Sequence, residues 1–223
     1  VPAIEFYPGE KIQLQYNVTP WYVADDYKIT YSVGNDLIAE VDPETGVVYA
    51  KKEGSTIVSL SVEGSNVNAR IRVTVRNPFV IENRQLIAYK GLDEEVIIPD
   101  DEGILYINSY AFCLYETDIE VEVDEDDYDA NKTPEGNKSI KKIVVPNGVM
   151  YIEKYAFYNC KSLTKIVFPE GTAGIGAYAF YDCNSMSAIN IPEGVEKLLS
   201  HTFYGCASLE QVQIPDSVTE IQD

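Results

Sequence analysis

Aromatic side chains at a fixed spacing are the most informative candidates for chemistry in this sequence. A tyrosine or histidine stands two residues before, and a tyrosine one residue after, each of Phe157, Phe180 and Phe203. These flanking residues are Tyr155, Tyr158, Tyr178, Tyr181, His201 and Tyr204. Residues three apart lie on one side of a helical turn, so each pair should meet and successive pairs should form two parallel aromatic ribs. Such ribs would suit a flat sugar or an extended peptide, or would form a structural ladder that seals the edge of the fold.

The acidic residues 124–129 are a candidate calcium loop, because with Asn131 they offer alternating oxygen ligands. However, Lys132 and Lys138 stand where an EF-hand loop needs Gly and Glu. We therefore interpret the segment as a solvated charge run. We expect neither a metal site nor any other cofactor in this chain.

No catalytic constellation is recognisable. His201 is the only histidine, and neither a serine nor a cysteine nucleophile pairs with it in a known motif. One histidine alone cannot build a typical zinc site. The spacing of Gly171, Gly174 and Gly176 is faintly like a phosphate-binding loop, but the strand–turn–helix setting and the basic residue are missing. We expect that the protein is not an enzyme.

The elements that position these residues repeat along the chain. Pro146, Pro169, Pro192 and Pro215 are each 23 residues apart, and the three phenylalanines keep the same step. A fixed period in this range is typical of a solenoid, in which each coil buries its apolar face on its neighbours. Cysteines recur at the same step, at 160, 183 and 206. Equivalent side chains of neighbouring coils point the same way, so we expect reduced, buried cysteines rather than disulfides.

The apolar spacing inside each coil predicts a leucine-rich repeat. Leu163-x-x-Ile166-x-Phe168 recurs twice more downstream, and the last two apolar residues should point inward from a short parallel strand that the proline ends. The segment with Ala156-Phe157 should return the chain as a short helical or 3₁₀ arm. These repeats resemble the BspA-type leucine-rich repeats of bacterial surface proteins, which share the Ile-Pro-Glu-Gly-Val, Ala-Phe and Cys-x-Ser-Leu motifs.

The outer face of the repeat sheet is a second candidate binding surface, because strand positions alternate inward and outward. Sheet faces of solenoids often bind partners, and a merely solvated face is the alternative. The outward positions are predicted to be Glu95, Ile97, Glu120, Glu122, Lys142, Val144, Lys165, Val167, Ala188, Asn190, Gln211 and Gln213.

Residues 1–77 are predicted to form an all-β sandwich, because short alternating stretches are separated by turn signals. The order of features resembles the group 2 bacterial immunoglobulin-like domain, although Tyr31 stands where that family usually has Trp. The matching parts are Gly9–Leu14, Val18–Pro20, Ile38–Asp42, Gly46–Val48, Gly54–Thr56 and Arg72–Val75.

A second domain is predicted over residues 78–223. Residues 79–91 should form a hairpin that caps the first coil. The repeat strands should begin near 96, 121, 143, 166, 189 and 212. The unit near 121 lacks the Ala-Phe pair, so we expect it to bulge outward as a hydrated loop.

Composition excludes several classes of function. The net charge of −19 disfavours nucleic acid and anionic membranes as partners, and no apolar run is long enough to span a membrane. The resemblance implies an exported, extracellular or cell-surface protein that adheres to a host or bacterial surface protein or polysaccharide, with the immunoglobulin-like domain as a spacer. A glycan-binding protein and a self-associating structural component remain the alternatives.

Overall fold

The computed structural model describes residues 2–15, 27–114 and 135–223 of the chain. The fold is mainly β, as predicted. Across these residues there are 21 strands and no helix, and therefore no helix that is long and apolar enough to cross a membrane. The chain divides into two compact units, Val1–Pro78 and Phe79–Asp223.

The first unit contains two β-sheets. Its strands are β1 (Ala3–Phe6), β2 (Lys11–Gln13), β3 (Ile29–Val33), β4 (Ala39–Val41), β5 (Val47–Ala50), β6 (Gly54–Val62) and β7 (Asn68–Val75). One sheet has the order β1-β7-β6-β3 and the other β2-β5-β4. β1 pairs with β7 in parallel, whereas the other pairs are antiparallel.

Both sheets of the first unit contribute to one core. Alternate residues of the central strands point inward, so Val48 from one sheet and Val58 and Val73 from the other are fully buried in a single cluster. Tyr31 is also buried there, against Gly46. A Cβ atom at Gly46 would lie 2.5 Å from the Tyr31 ring, and the positive φ of this residue (+74°) also favours glycine.

The second unit is a stack of short parallel strands. Its strands are β8 (Phe79–Glu82), β9 (Gln85–Tyr89), β10 (Glu95–Ile97), β11 (Tyr106–Ile107), β12 (Cys113–Leu114), β13 (Glu135–Gly136), β14 (Lys142–Val144), β15 (Tyr151–Ile152), β16 (Lys165–Val167), β17 (Gly174–Ile175), β18 (Ala188–Asn190), β19 (Lys197–Leu198), β20 (Gln211–Gln213) and β21 (Glu220–Ile221). Each coil of the stack supplies one three-residue and one two-residue strand.

Register between coils follows the repeat. Val96 pairs with Ile143, which in turn pairs with Ile166, and all three side chains are buried. The strand predicted near 121 lies outside the described residues, and β10 pairs directly with β14. At the start of the stack, the β8–β9 hairpin joins the first coil through parallel pairing of β9 with β11.

The prediction of helical or 3₁₀ return arms is wrong, because each arm of the described coils is a series of turns. In the arm after β15, Tyr155 and Asn159 both have positive φ, as do the equivalent Tyr178 and Asp182 one coil later. A right-handed helix cannot pass through such residues. The amide of Phe157 donates instead to the carbonyl oxygen of Ala179 in the next coil, at 2.9 Å. Hydrogen bonding between coils has therefore replaced hydrogen bonding along a helix.

Aromatic rings and cysteines fill the core of the stack. Phe157 and Phe180 are fully buried, with ring centroids 5.1 Å apart, and Phe203 lies 5.6 Å beyond Phe180. The four cysteines are free, as predicted, and Cys160 and Cys183 are fully buried. Cys206, at the end of the stack, is only partly buried.

The strands on either side of residues 115–134 pair with each other. Cys113 and Leu114 pair in antiparallel fashion with Gly136 and Glu135. The acidic residues 124–129 belong to this segment and lie outside the described residues. Directly after β13, Asn137 is fully buried and donates a hydrogen bond from Nδ2 to the Gly91 carbonyl oxygen at 2.8 Å.

Candidate functional site

The outer face of β10, β14 and β16 carries two columns of side chains in register. The first contains Glu95, Lys142 and Lys165, and Lys142 forms a salt bridge with Glu95. The second contains the apolar residues Ile97, Val144 and Val167. Because the strands pair in parallel and in register, neighbouring members of a column lie one strand spacing apart.

The apolar column is accessible to solvent. Ile97 is 64% exposed and Val167 is 37% exposed, whereas Val144 between them is half-buried. The polypeptide therefore presents three β-branched side chains in a row beside a row of charges. Isolated exposed apolar residues need no explanation, but a contiguous row is typical of an interaction surface.

Further along the stack the outer face becomes polar. β18 pairs with β20 in a separate two-stranded sheet, and the outward residues there are Ala188, Asn190, Gln211 and Gln213, all exposed. The outward residues predicted at Glu120 and Glu122 lie outside the described residues. Of the predicted face, the structure thus brings together an apolar part and a neutral polar part.

The predicted aromatic side chains form two stacked columns. Tyr155, Tyr178 and His201 form the first, with successive centroids 4.9 and 4.8 Å apart. Tyr110 extends it by one coil at 5.1 Å from Tyr155, and sequence reasoning did not include this residue. The second column contains Tyr158, Tyr181 and Tyr204, at 5.2 and 5.0 Å.

Each predicted pair within a coil also meets, although the arms are not helical. The rings of Tyr155 and Tyr158 lie edge to face at 5.8 Å, because the turn closed by the Tyr158 amide and the Tyr155 carbonyl replaces the expected helical turn. Tyr158 is only 5% exposed, and its column opens to solvent at Tyr204, which is 54% exposed. The Lys154 ammonium group lies over the rings of Tyr155 and Tyr178, 5.0 and 5.7 Å from their centroids.

The described residues contain no cluster of three or more His, Cys, Asp or Glu that could hold a metal ion. Burial raises the pKa of the Cys160 thiol to about 12 and that of the Cys206 thiol to about 11. Both are therefore neutral thiols rather than nucleophilic thiolates near neutral pH.

A third surface was not predicted from the sequence. Tyr106 and Tyr151 pair in register on β11 and β15, and their rings stack at 5.7 Å with an angle of 11° between the planes. An open pocket of about 380 Å³ adjoins Tyr106. Both tyrosines directly precede an inward isoleucine, but they are 45 residues apart and so do not follow the 23-residue step.

Glycines end this third column. A Cβ atom at Gly174, the position that pairs with Tyr151, would lie 2.7 Å from the Tyr151 ring. At Gly176 it would lie 2.4 Å from the Lys154 backbone nitrogen. These close approaches explain Gly174 and Gly176, because the coils could not pack this closely with larger residues, whereas Gly171 has open space around it and a positive φ of +96° that favours glycine.

No curated protein matches the chain. Among solved structures, a leucine-rich cell surface protein from Faecalibacterium prausnitzii is 22% identical over 64% of this chain and 42% of its own, with a TM-score of 0.40. A leucine-rich repeat protein from T. pallidum is 19% identical over 61% of this chain and 77% of its own, with a TM-score of 0.38.

A leucine-rich repeat protein from Bacteroides ovatus is 22% identical over 60% of this chain, with a TM-score of 0.39. The chain spans only 34% of that protein, and less than half of the F. prausnitzii protein. Residues 135–223 match the family described as "BspA type Leucine rich repeat region (6 copies)". Those residues carry the proline, phenylalanine and cysteine steps described above, and they are similar to the repeats of that family.

Proposed function

We propose that this chain is a non-enzymatic binding or adhesion protein of the cell surface or the extracellular space. In this proposal the outer face of β10, β14 and β16 recognises a protein partner on a host or bacterial surface. The observation that carries it is the exposed apolar column of Ile97, Val144 and Val167. The BspA-type repeats of residues 135–223 support the same class of function.

The physical basis of recognition is a rigid, mixed surface. The backbone of the three strands is held by ladder pairing, so ordering this face on binding costs little conformational entropy. The apolar column would supply contact area. The adjacent Glu95, Lys142 and Lys165 would favour a partner that places a positive charge opposite Glu95 and negative charges opposite the two lysines.

The aromatic columns have a structural role in this proposal. The rings stack on both sides in the middle coils, and Lys154 already covers two of them. A ligand would therefore find open ring surface mainly at His201 and Tyr204, which are exposed at the end of the columns. The first unit, assigned to residues 1–77, would be an immunoglobulin-like spacer that holds the repeat domain (78–223) away from the surface.

The proposal can be tested by capture on the immobilised full chain. Two probes are a solubilised extracellular-matrix protein preparation and a bacterial cell-wall polysaccharide preparation. Val167→Asp and Ile97→Asp should each weaken protein capture at least tenfold, equivalent to about 1.4 kcal/mol. Leu37→Asp is the matched control, because Leu37 is also apolar and 73% exposed but belongs to the other unit.

Three outcomes contradict the proposal. Unchanged capture by both sheet-face variants would move the site elsewhere on the molecule. Capture of polysaccharide without protein would favour the glycan-binding alternative. Self-association in sedimentation experiments without capture from either preparation would favour a structural surface component.

A further inference from the structure

We infer that the pocket beside Tyr106 binds a neutral pyranose sugar. The pocket is lined by Gln85, Tyr106, Asn108, Ser109 and Glu153. Its volume of about 380 Å³ falls within the range of small-ligand sites. The strands that carry it are β9, β11 and β15, so this inference does not depend on the partner proposed for the face of β10, β14 and β16.

An aromatic wall gives the pocket an apolar surface of the right kind. Tyr106 on β11 lies between Gln85 on β9 and Tyr151 on β15. The Tyr151 ring stacks on the Tyr106 ring and holds it in place. One face of a pyranose carries C–H groups with slight positive charge, and an aromatic face carries slight negative charge. Of the two stacked rings only Tyr106 lines the pocket, and Tyr151, which is 41% exposed, supports it by stacking.

The polar groups of the pocket have unused hydrogen-bonding capacity. Across the part of the chain that the structure describes, the side chains of Gln85, Asn108, Ser109 and Glu153 make no hydrogen bond or ion pair. Two amides, a hydroxyl and a carboxylate together offer both donors and acceptors. Sugar hydroxyls also donate and accept, so a pyranose resting on Tyr106 could satisfy several of these groups at once.

The backbone beneath these side chains is rigid. The amide of Asn108 donates to the Leu86 carbonyl at 3.0 Å, and the amide of Glu153 donates to the Ile107 carbonyl at 2.9 Å. Leu86 and Ile107 are fully buried. The pocket is therefore preformed, which lowers the entropic cost of binding a small ligand.

Charge selects a neutral sugar over an acidic one. Glu153 is exposed at the pocket, and no basic residue lines it. Residues 79–223 as a whole contain 10 basic and 26 acidic residues, a net charge of −16. A uronic acid or sialic acid would meet repulsion both at the pocket and from the surrounding field.

The first test titrates the full chain with the methyl glycosides of glucose, galactose, mannose and N-acetylglucosamine, observed by ligand NMR. At least one should bind with a Kd on the order of 1 mM. Asn108→Ala should weaken that binding at least tenfold without changing the thermal unfolding midpoint. Asn66→Ala is the matched control, since Asn66 is exposed and belongs to the other unit, and it should bind as the wild type does.

The second test separates a sugar site from a merely structural tyrosine column. Methyl glucoside is compared with methyl glucuronoside, which differs by a carboxylate. Wild type should prefer the neutral sugar, and Glu153→Gln should reduce that preference at least threefold. Loss of a purely structural contact would not change selectivity between two sugars. Tyr106→Leu, which keeps an apolar side chain in the stack, should lose binding of both sugars while remaining folded.

Three results would overturn the inference. One is the absence of binding by all four methyl glycosides at concentrations well above the expected Kd. Another is equal binding by wild type, Asn108→Ala and Tyr106→Leu. The third is binding of a lysine-rich peptide in place of any sugar, which would assign the pocket to a basic peptide.

Discussion

The Cys183 thiol donates a hydrogen bond to the carbonyl oxygen of Phe157, one coil earlier, over 3.2 Å. Cys206 repeats this relationship with Phe180 at 3.1 Å, so each thiol is held by the coil that precedes it. A thiol that points at a backbone carbonyl does not point at the next sulfur. The cysteines thus join neighbouring coils without any disulfide.

Thiol accessibility should follow the position of each cysteine in the stack. Titration of the native protein with a thiol reagent should modify Cys206 first, because it is only partly buried, and Cys160 and Cys183 slowly. After unfolding, all four cysteines should react. Mass spectrometry of partly labelled protein identifies the order, and a disulfide between any two of them would contradict it.

Stability should decrease in alkaline solution. Burial raises the pKa of Cys160 to about 12, compared with 9.0 for an unperturbed thiol. Its stabilising contribution is therefore complete below pH 9 and is lost as the pH rises towards 12, because only the unfolded chain releases the proton. Between about pH 8 and about pH 9.5 this thiol should lower the free energy of unfolding by an amount on the order of 1 kcal/mol. Urea unfolding measures it, and Cys160→Ala should show a shallower pH dependence.

Truncation of the central core ring should destabilise the second unit strongly. Phe180 is fully buried between Phe157 and Phe203, so Phe180→Ala leaves a cavity that its neighbours cannot fill. The expected cost is about 3–5 kcal/mol of unfolding free energy. Glu193→Ala, an exposed substitution in the following coil, should cost less than about 0.5 kcal/mol. Chemical denaturation of both variants tests this, and similar midpoints would contradict the packing.

Removal of the Asn137 side chain should also destabilise the second unit. Its Nδ2 donates to the Gly91 carbonyl at 2.8 Å, and its Oδ1 accepts from the Ser139 amide at 3.0 Å. Asn137→Ala leaves both backbone groups without these partners, so it should cost about 1–3 kcal/mol. Asn147→Ala is the control, because Asn147 is exposed and its side-chain amide donates to Asp100 at the surface, at 3.3 Å.

The same burial predicts the modification state of Asn137. Asn137-Lys-Ser has the spacing of a glycan acceptor sequence, but the asparagine is 0% exposed and its amide nitrogen is hydrogen-bonded. Expression in a host that glycosylates should leave Asn137 unmodified in the folded protein. Peptide mass spectrometry tests this, and a glycan at Asn137 would contradict its position in the fold.

Interior tyrosines of the aromatic columns should matter more for stability than the terminal one. Tyr181 stacks on Tyr158 at 5.2 Å and on Tyr204 at 5.0 Å, whereas Tyr204 ends the column and is 54% exposed. Two stacked pairs at about 0.5–1.5 kcal/mol each predict a cost of about 1–3 kcal/mol for Tyr181→Ala. Tyr204→Ala should cost less. Thermal unfolding of the two variants gives the comparison, and equal midpoints would argue against a structural ladder.

The sequence by itself determined which residues form the core of the second unit. A step of 23 residues places Phe157 over Phe180 and Cys160 over Cys183, because equivalent positions of neighbouring coils must stack. Alternation within each strand identified the inward Ile143 and Ile166. These predictions succeed because they depend only on the repeat period and on alternation within a strand, and both are visible in the sequence itself.

Backbone conformation in the return arms was harder to predict. Tyr155 and Tyr178 have positive φ, which is uncommon for a bulky residue and is not signalled by residue type. The neighbouring Asn159 and Asp182 did carry a signal, since their residue types are enriched in this conformation. The helical expectation failed because amides such as that of Phe157 bond to the next coil, a partner that lies 22 residues away in sequence.

Only the tertiary structure decided what stands next to the first coil. β10 pairs directly with β14, so Tyr106 meets Tyr151 although a 20-residue segment, 115–134, lies between them in sequence. That pairing creates the pocket beside Tyr106, which no periodic pattern predicts. The physical reason is that a stack of coils is held by contacts between coils that are neighbours in space. Residues inserted between β12 and β13, two strands that pair with each other, increase the distance in sequence but do not change which coils are neighbours.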